Sequence, residues 1–89
     1  MSIDEALRSA IHRKIIEFFH ENQASIDTPR GVSTWVNEER SKVRKALEDL
    51  VALNILTAHR VSSTTGYSYT RDTKLISKIG KLLKETVKA

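Results

Sequence analysis

Residues 32–56 read VSTWVNEERSKVRKALEDLVALNIL, and this stretch decides the fold. Val32, Trp35 and Val36 fall at i, i+3 and i+4, one short apolar face of a helix. Asn37 interrupts it, because Asn tolerates the left-handed backbone conformation better than most residues with a Cβ. The helical period then resumes with Val43, Ala46, Leu47, Leu50 and Leu53. Pro29, preceded by Asp27 or Thr28, marks the start of the first helix, since Pro costs nothing at the first helical position. The spacing therefore predicts a helix over 28–36 and a longer one over 38–54, joined by a tight turn. Arg40, Lys42, Arg44 and Lys45 crowd the first half of the longer helix. They form either a solvated charged face or a surface for a polyanion, and composition does not choose between the two.

Upstream, residues 2–22 carry an apolar stripe of Ile3, Leu7, Ala10, Ile11, Ile15, Phe18 and Phe19, which predicts one helix. Ser2 and Glu5 have capping-box spacing at its start. Downstream, residues 55–70 change character. Ile55 to Val61 is rich in β-branched residues, Ser62 to Gly66 is a turn cluster, and Tyr67-Ser68-Tyr69-Thr70 alternates, so a β-hairpin is expected. Asp72 or Thr73 then caps a last helix over 72–88. Its stripe of Leu75, Ile76, Ile79, Leu82, Leu83 and Val87 lies opposite lysines 74, 78, 81, 84 and 88, with Gly80 the one blemish. A two-stranded hairpin is not stable alone and must pack on helices. The expected fold is mainly α with a small β-hairpin (α+β): a winged helix-turn-helix with a three-helix core, a wing and a C-terminal helix. It fills one domain over residues 1–89.

The 89 residues contain no Cys, which excludes disulfides, thiol catalysis and cysteine-ligated zinc. No apolar run approaches the length of a membrane span, so a cytoplasmic protein is expected. The net charge of +4 is unevenly spread. Residues 1–27 hold three basic and five acidic side chains, whereas residues 57–89 hold seven basic and two acidic ones. A basic C-terminal half suits an anionic partner. With three glycines in the chain there is no phosphate-cradling loop, and no metal or nucleophile motif is present, so the chain is not expected to be an enzyme.

The register of these residues resembles that of the winged helix-turn-helix regulators of bacteria and archaea. Val32-Ser33 resembles the opening pair of their common line, and Val36-Asn37 the Leu-Gly of the turn. Val43, Leu47 and Leu50 match the second-helix core positions. Asn54-Ile55-Leu56 resembles the Gly-hydrophobic-Ile leading into the wing, and Tyr67-Ser68-Tyr69-Thr70 the returning strand. The likeness spans residues 32–70. Two positions depart from it: Glu38 replaces a small apolar residue, and Glu39 replaces the Ser or Thr cap of the second helix. Acids suit a helix N-terminus but repel phosphates there.

The resemblance implies double-stranded DNA as partner and transcription regulation as function, with the longer helix in the major groove. Arg40, Ser41, Lys42, Arg44 and Lys45 would then face bases and phosphates. His59, Arg60, Ser63 and Thr64 of the wing would contact backbone or minor groove, and Arg30 a phosphate. The last helix would either pack on the first within the monomer or, as in many such regulators, join it in a homodimer interface, the option favoured here. The alternative is a winged helix used as a protein-interaction module without significant DNA binding. No cofactor, metal, small-molecule ligand or membrane contact is implied. His12, His20 and His59 form no ligand set and are expected to be structural, on the surface or half-buried. Trp35 is expected to pack in the core, with a partner contact as the alternative, and Tyr67 and Tyr69 to pack the wing onto the helices, with base stacking as the alternative.

Overall fold

A computed structural model of the chain describes residues 1–85. Helices α1 (Ile3–Arg8), α2 (Ala10–Glu21), α3 (Pro29–Val36), α4 (Arg40–Ala52) and α5 (Thr73–Glu85) surround strands β1 (Ile26–Asp27), β2 (Leu56–Val61) and β3 (Thr64–Tyr69). The end of the helix expected over 72–88, including Val87 and Lys88, lies outside the described residues.

The helix expected over 2–22 is two helices. Its capping box forms as read, Ser2 and Glu5 satisfying each other's backbone N–H. Ser9 then leaves the helical conformation, with φ −83° and ψ 123°. Its hydroxyl lies 2.6 Å from Nδ1 of buried His12, a local bond that competes with the helix ladder and holds the break. His12 also reaches across the core edge to Asp49 of α4, with Nε2 to Oδ2 at 2.8 Å.

Helices α3 and α4 form the expected pair. Thr28 caps α3 through the Gly31 N–H. Asn37 sits in the left-handed region with φ 56°, and the Ser33 hydroxyl donates to the Glu38 carbonyl across the turn at 2.5 Å. The longer helix runs over Arg40–Ala52 rather than 38–54. Its end is a Schellman motif: Ile55 N–H bonds the Leu50 carbonyl and Asn54 N–H the Val51 carbonyl, with Asn54 at φ 62°.

The hairpin is part of a three-stranded antiparallel sheet in the order β1-β3-β2, not a free two-stranded wing. Ile26 pairs with Ser68 and Asp27 with Tyr67, so the segment before α3 covers one edge of β3. Two residues are too few for periodicity to reveal. Gly66 permits the approach, because a Cβ there would lie 3.0 Å from the Ile26 side chain. Only Ser62 and Ser63 form the turn, and Ser62 alone has positive φ, the pattern of a type II′ hairpin.

One continuous core joins Leu7, Ile15, Ile16 and Phe19 of the first helices to Val32, Val43, Leu47, Leu50, Ile55, both tyrosines and Ile79. Alternation along β3 turns Tyr67 and Tyr69 inward, as expected. Tyr69 bonds His20 at 2.9 Å, and Gly80 of α5 rests against that imidazole. Trp35, expected in the core, is 71 % exposed. The core direction of short α3 is set by Val32 and Val36, and Trp35 lies on the flank of that stripe, over Phe18.

Candidate nucleic-acid interface

On α4, Arg40, Arg44 and Glu48 recur every four residues and so share one face. That face turns toward the wing and the start of α3. Between these three elements lies a groove of about 580 Å³. Four arginines line it: Arg30 of α3, Arg40 and Arg44 of α4, and Arg60 of β2. Ser63, Thr64 and Thr65 add hydroxyls from the wing. Four guanidinium groups and three hydroxyls around one open groove make a donor set for phosphate oxygens, and Arg can also grip a base edge bidentately.

Glu48 is the one carboxylate in the groove. One oxygen accepts from Arg60 Nη2 at 3.0 Å, and the other accepts from the Tyr67 hydroxyl. The Tyr67 bond, followed by Arg60, holds the Glu48 carboxyl below its ordinary range. Burial, then the same carboxylate, pushes Tyr67 up to about 12. The helix and the wing are thus tied through a single side chain. Glu48 was not read as part of the site, although its spacing from Arg44 would have placed it there. Tyr67, expected chiefly to pack the wing, also sends its hydroxyl to the groove.

The structure brings Arg30, Arg40, Arg44, Arg60, Ser63 and Thr64 together, and leaves the other expected contacts apart. Ser41 lies outside the groove but shares a neighbouring hollow with Glu39, Arg40 and Arg44, and its hydroxyl donates to the Glu39 carboxylate. Lys42 and Lys45 are exposed on α4 but outside the groove. His59 points to the opposite face of the sheet, where Nε2 lies 2.7 Å from Ser68 Oγ. Strand alternation dictates this, because neighbouring Arg60 takes the groove side.

The two acids that depart from the family pattern separate. Glu38 turns away from the groove and meets Lys14 of α2 at 2.7 Å, a bond that lowers its pKa. Glu39 stays exposed at the start of α4 and makes no side-chain cap bond. Among the described residues no cluster of three His, Asp or Glu could hold a metal ion, and no helix is long and apolar enough to cross a membrane.

This architecture is a winged helix-turn-helix. Among solved structures, NolR from Sinorhizobium fredii is similar with a TM-score of 0.70 and 21% identity, over 91% of this chain and 76% of that one. A possible transcriptional regulator from Methanosarcina mazei gives 0.69 and 16%, over 93% and 74%. The homodimeric winged helix-turn-helix DNA-binding domain of Mb0332 from Mycobacterium bovis, a possible ArsR-family regulator, gives 0.68 and 12%, over 94% and 77%. At these identities the likeness is one of fold. No family model matches the sequence, and no curated protein matches it significantly.

Proposed function

We propose that the protein binds double-stranded DNA as a small transcriptional regulator, with the N-terminal half of α4 in the major groove and the wing on the adjacent backbone or minor groove. The observation that carries this reading is the groove of four arginines between the second helix of the helix-turn-helix and the wing. Arg40 and Arg44 stand on the first turns of α4, the part of a recognition helix that meets base edges. Arg30 and the wing hydroxyls serve backbone phosphates, and Lys42 and Lys45 extend the positive surface. The regulators among the structural neighbours support the same assignment.

A homodimer through the first and last helices fits half-buried Ile3, Ile11, Leu75, Ile76, Leu82 and Leu83, which border the core. The homodimeric state of Mb0332 supports it. The protein acts without a cofactor on this reading.

Fluorescence anisotropy with a random duplex at low salt tests the proposal. Binding should weaken as salt rises, and Arg40→Ala and Arg44→Ala should each cost far more affinity than Lys78→Ala on α5. No binding at tens of micromolar protein removes the proposal. Exposed Glu39 and the Glu48 carboxylate inside the groove favour the second reading, a protein-interaction module. A stoichiometric protein partner with no duplex binding selects it.

A further inference from the structure

The indole of Trp35 is exposed yet fixed. It stacks on Phe18 with ring centroids 5.9 Å apart and planes at 27°, and Phe18 meets buried Phe19 edge to face at 5.1 Å. Three rings thus run as a ladder from core to surface, so the indole is oriented before any partner arrives. A second groove, of about 520 Å³, lies along this ladder between α2 and α3.

Its other walls are Val36 on the apolar side and Glu17 and Glu21 on the polar side. Lys14 is the one cation lining it, and Glu38 already holds that ammonium. Glu17 is held by Arg13 of the same helix at 3.3 Å, so Glu21 supplies the open negative charge. Glu21 takes part in no ion pair among the described residues. The local charge is therefore opposite in sign to that of the arginine groove. Arg30 and Trp35 stand five residues apart on α3, about 140° around the helix, so the two grooves face different ways.

We propose that this groove docks a segment of a partner protein, with an arginine of that partner stacked on Trp35 and its guanidinium held by Glu21. An apolar neighbour on the same segment rests on Phe18 and Val36. Arg is the cation that matches the site. Its planar guanidinium stacks on aromatic faces and pairs with carboxylates in fixed geometry, while a lysine ammonium is more strongly hydrated. Trp and Arg are also enriched among the residues that carry most of the energy of protein interfaces. Nucleic acid is repelled by the carboxylates. A domain seated on DNA through α4 would keep this face free, which makes it a bridge between duplex and partner.

Trp35 is the one tryptophan of the chain, so its emission reports this groove alone. The probe is a capped Leu-Arg-Leu-Arg-Leu peptide, with Leu-Glu-Leu-Glu-Leu as its charge-reversed control. The arginine peptide should change the emission saturably, and the glutamate peptide should not. By calorimetry Trp35→Ala and Glu21→Gln should each weaken the arginine peptide by about fivefold, leaving duplex affinity unchanged. An absent or non-saturating change at millimolar peptide overturns the proposal. So does an equal response to the glutamate peptide, which would mark a merely apolar patch. Loss of dimer mass in Trp35→Ala would make the face a self-interface, and loss of duplex binding in that variant would make it part of the DNA surface.

Discussion

Replacing Glu48 by Gln isolates the one acid inside the arginine groove. Gln keeps the shape and an acceptor for Tyr67 but loses the charge that holds Arg60 at 3.0 Å. Both partners of that ion pair are largely exposed, with side chains 61% and 43% accessible, so its loss should cost less than about 1 kcal/mol of stability. Its carboxyl is held below the ordinary glutamate value, so that small contribution is present above the value and lost as pH falls through the folded pKa. The effect on DNA should be larger. With Arg60 released, one more phosphate is neutralised, and the slope of log K against log salt should steepen by about 0.9. The gain of Glu48→Gln over the parent should therefore be about threefold larger at 50 mM salt than at 200 mM. Anisotropy titrations on one random duplex at both salts measure this. Parallel salt lines, or weaker binding by the variant, would refute the idea that Glu48 restrains Arg60. Repeating the substitution in an Arg60→Ala background separates the causes. A gain of the same size there would mean that the carboxylate acts on the duplex directly.

Three further outcomes test the fold. Both tyrosines of the chain are pushed up to about 12, by burial first and, for Tyr67, by Glu48 second, so absorbance at 295 nm should show almost no tyrosinate near pH 10. Their contribution to stability is fully present below the ordinary tyrosine value and is lost as pH rises through about 12. His12→Ala removes the bonds to Ser9 and Asp49 from a buried position and should cost about 2 kcal/mol in urea unfolding; a loss under about 0.5 kcal/mol would mean that the link is incidental. Asn54→Gly relieves a side chain at φ 62° in the Schellman turn and should raise stability by about 0.5 kcal/mol, and a drop in melting temperature would contradict the strain assigned there.

The helix-turn-helix was legible because two periodic apolar faces and an Asn at the break are local signals, and both survive in Val32, Asn37, Val43, Leu47 and Leu50. The break at Ser9 was not legible. The apolar stripe continues through it, and the break shows only in the local Ser9–His12 bond, with His12 anchored on Asp49 of α4. Strand β1 was invisible because its pairing partner lies some forty residues away. Trp35 was misplaced because the i, i+3, i+4 pattern counts apolar residues without asking whether a neighbour covers each one. At the candidate site, the sequence names residue types but not the directions in which they point. His59 and Arg60 are adjacent in sequence, and strand alternation sends them to opposite faces.

The acids settle what the charge pattern alone left open. A basic helix that begins Glu38-Glu39 looks poorly made for phosphate, yet Glu38 is drawn off by Lys14 on the far side of the turn. Glu39 remains at the positive end of α4, where a carboxylate stabilises the helix and also occupies ground a phosphate would take. Glu48 repeats that arrangement two turns further on, holding the wing arginine in the free protein. Each remaining acid thus stabilises the free domain with a group that a duplex bound as proposed would have to displace or accept. On the proposed DNA-binding reading, such a surface would bind weakly to backbone alone and gain most from sites where Arg40 and Arg44 meet base edges, so specificity would rest on subtracting non-specific affinity as much as on adding contacts.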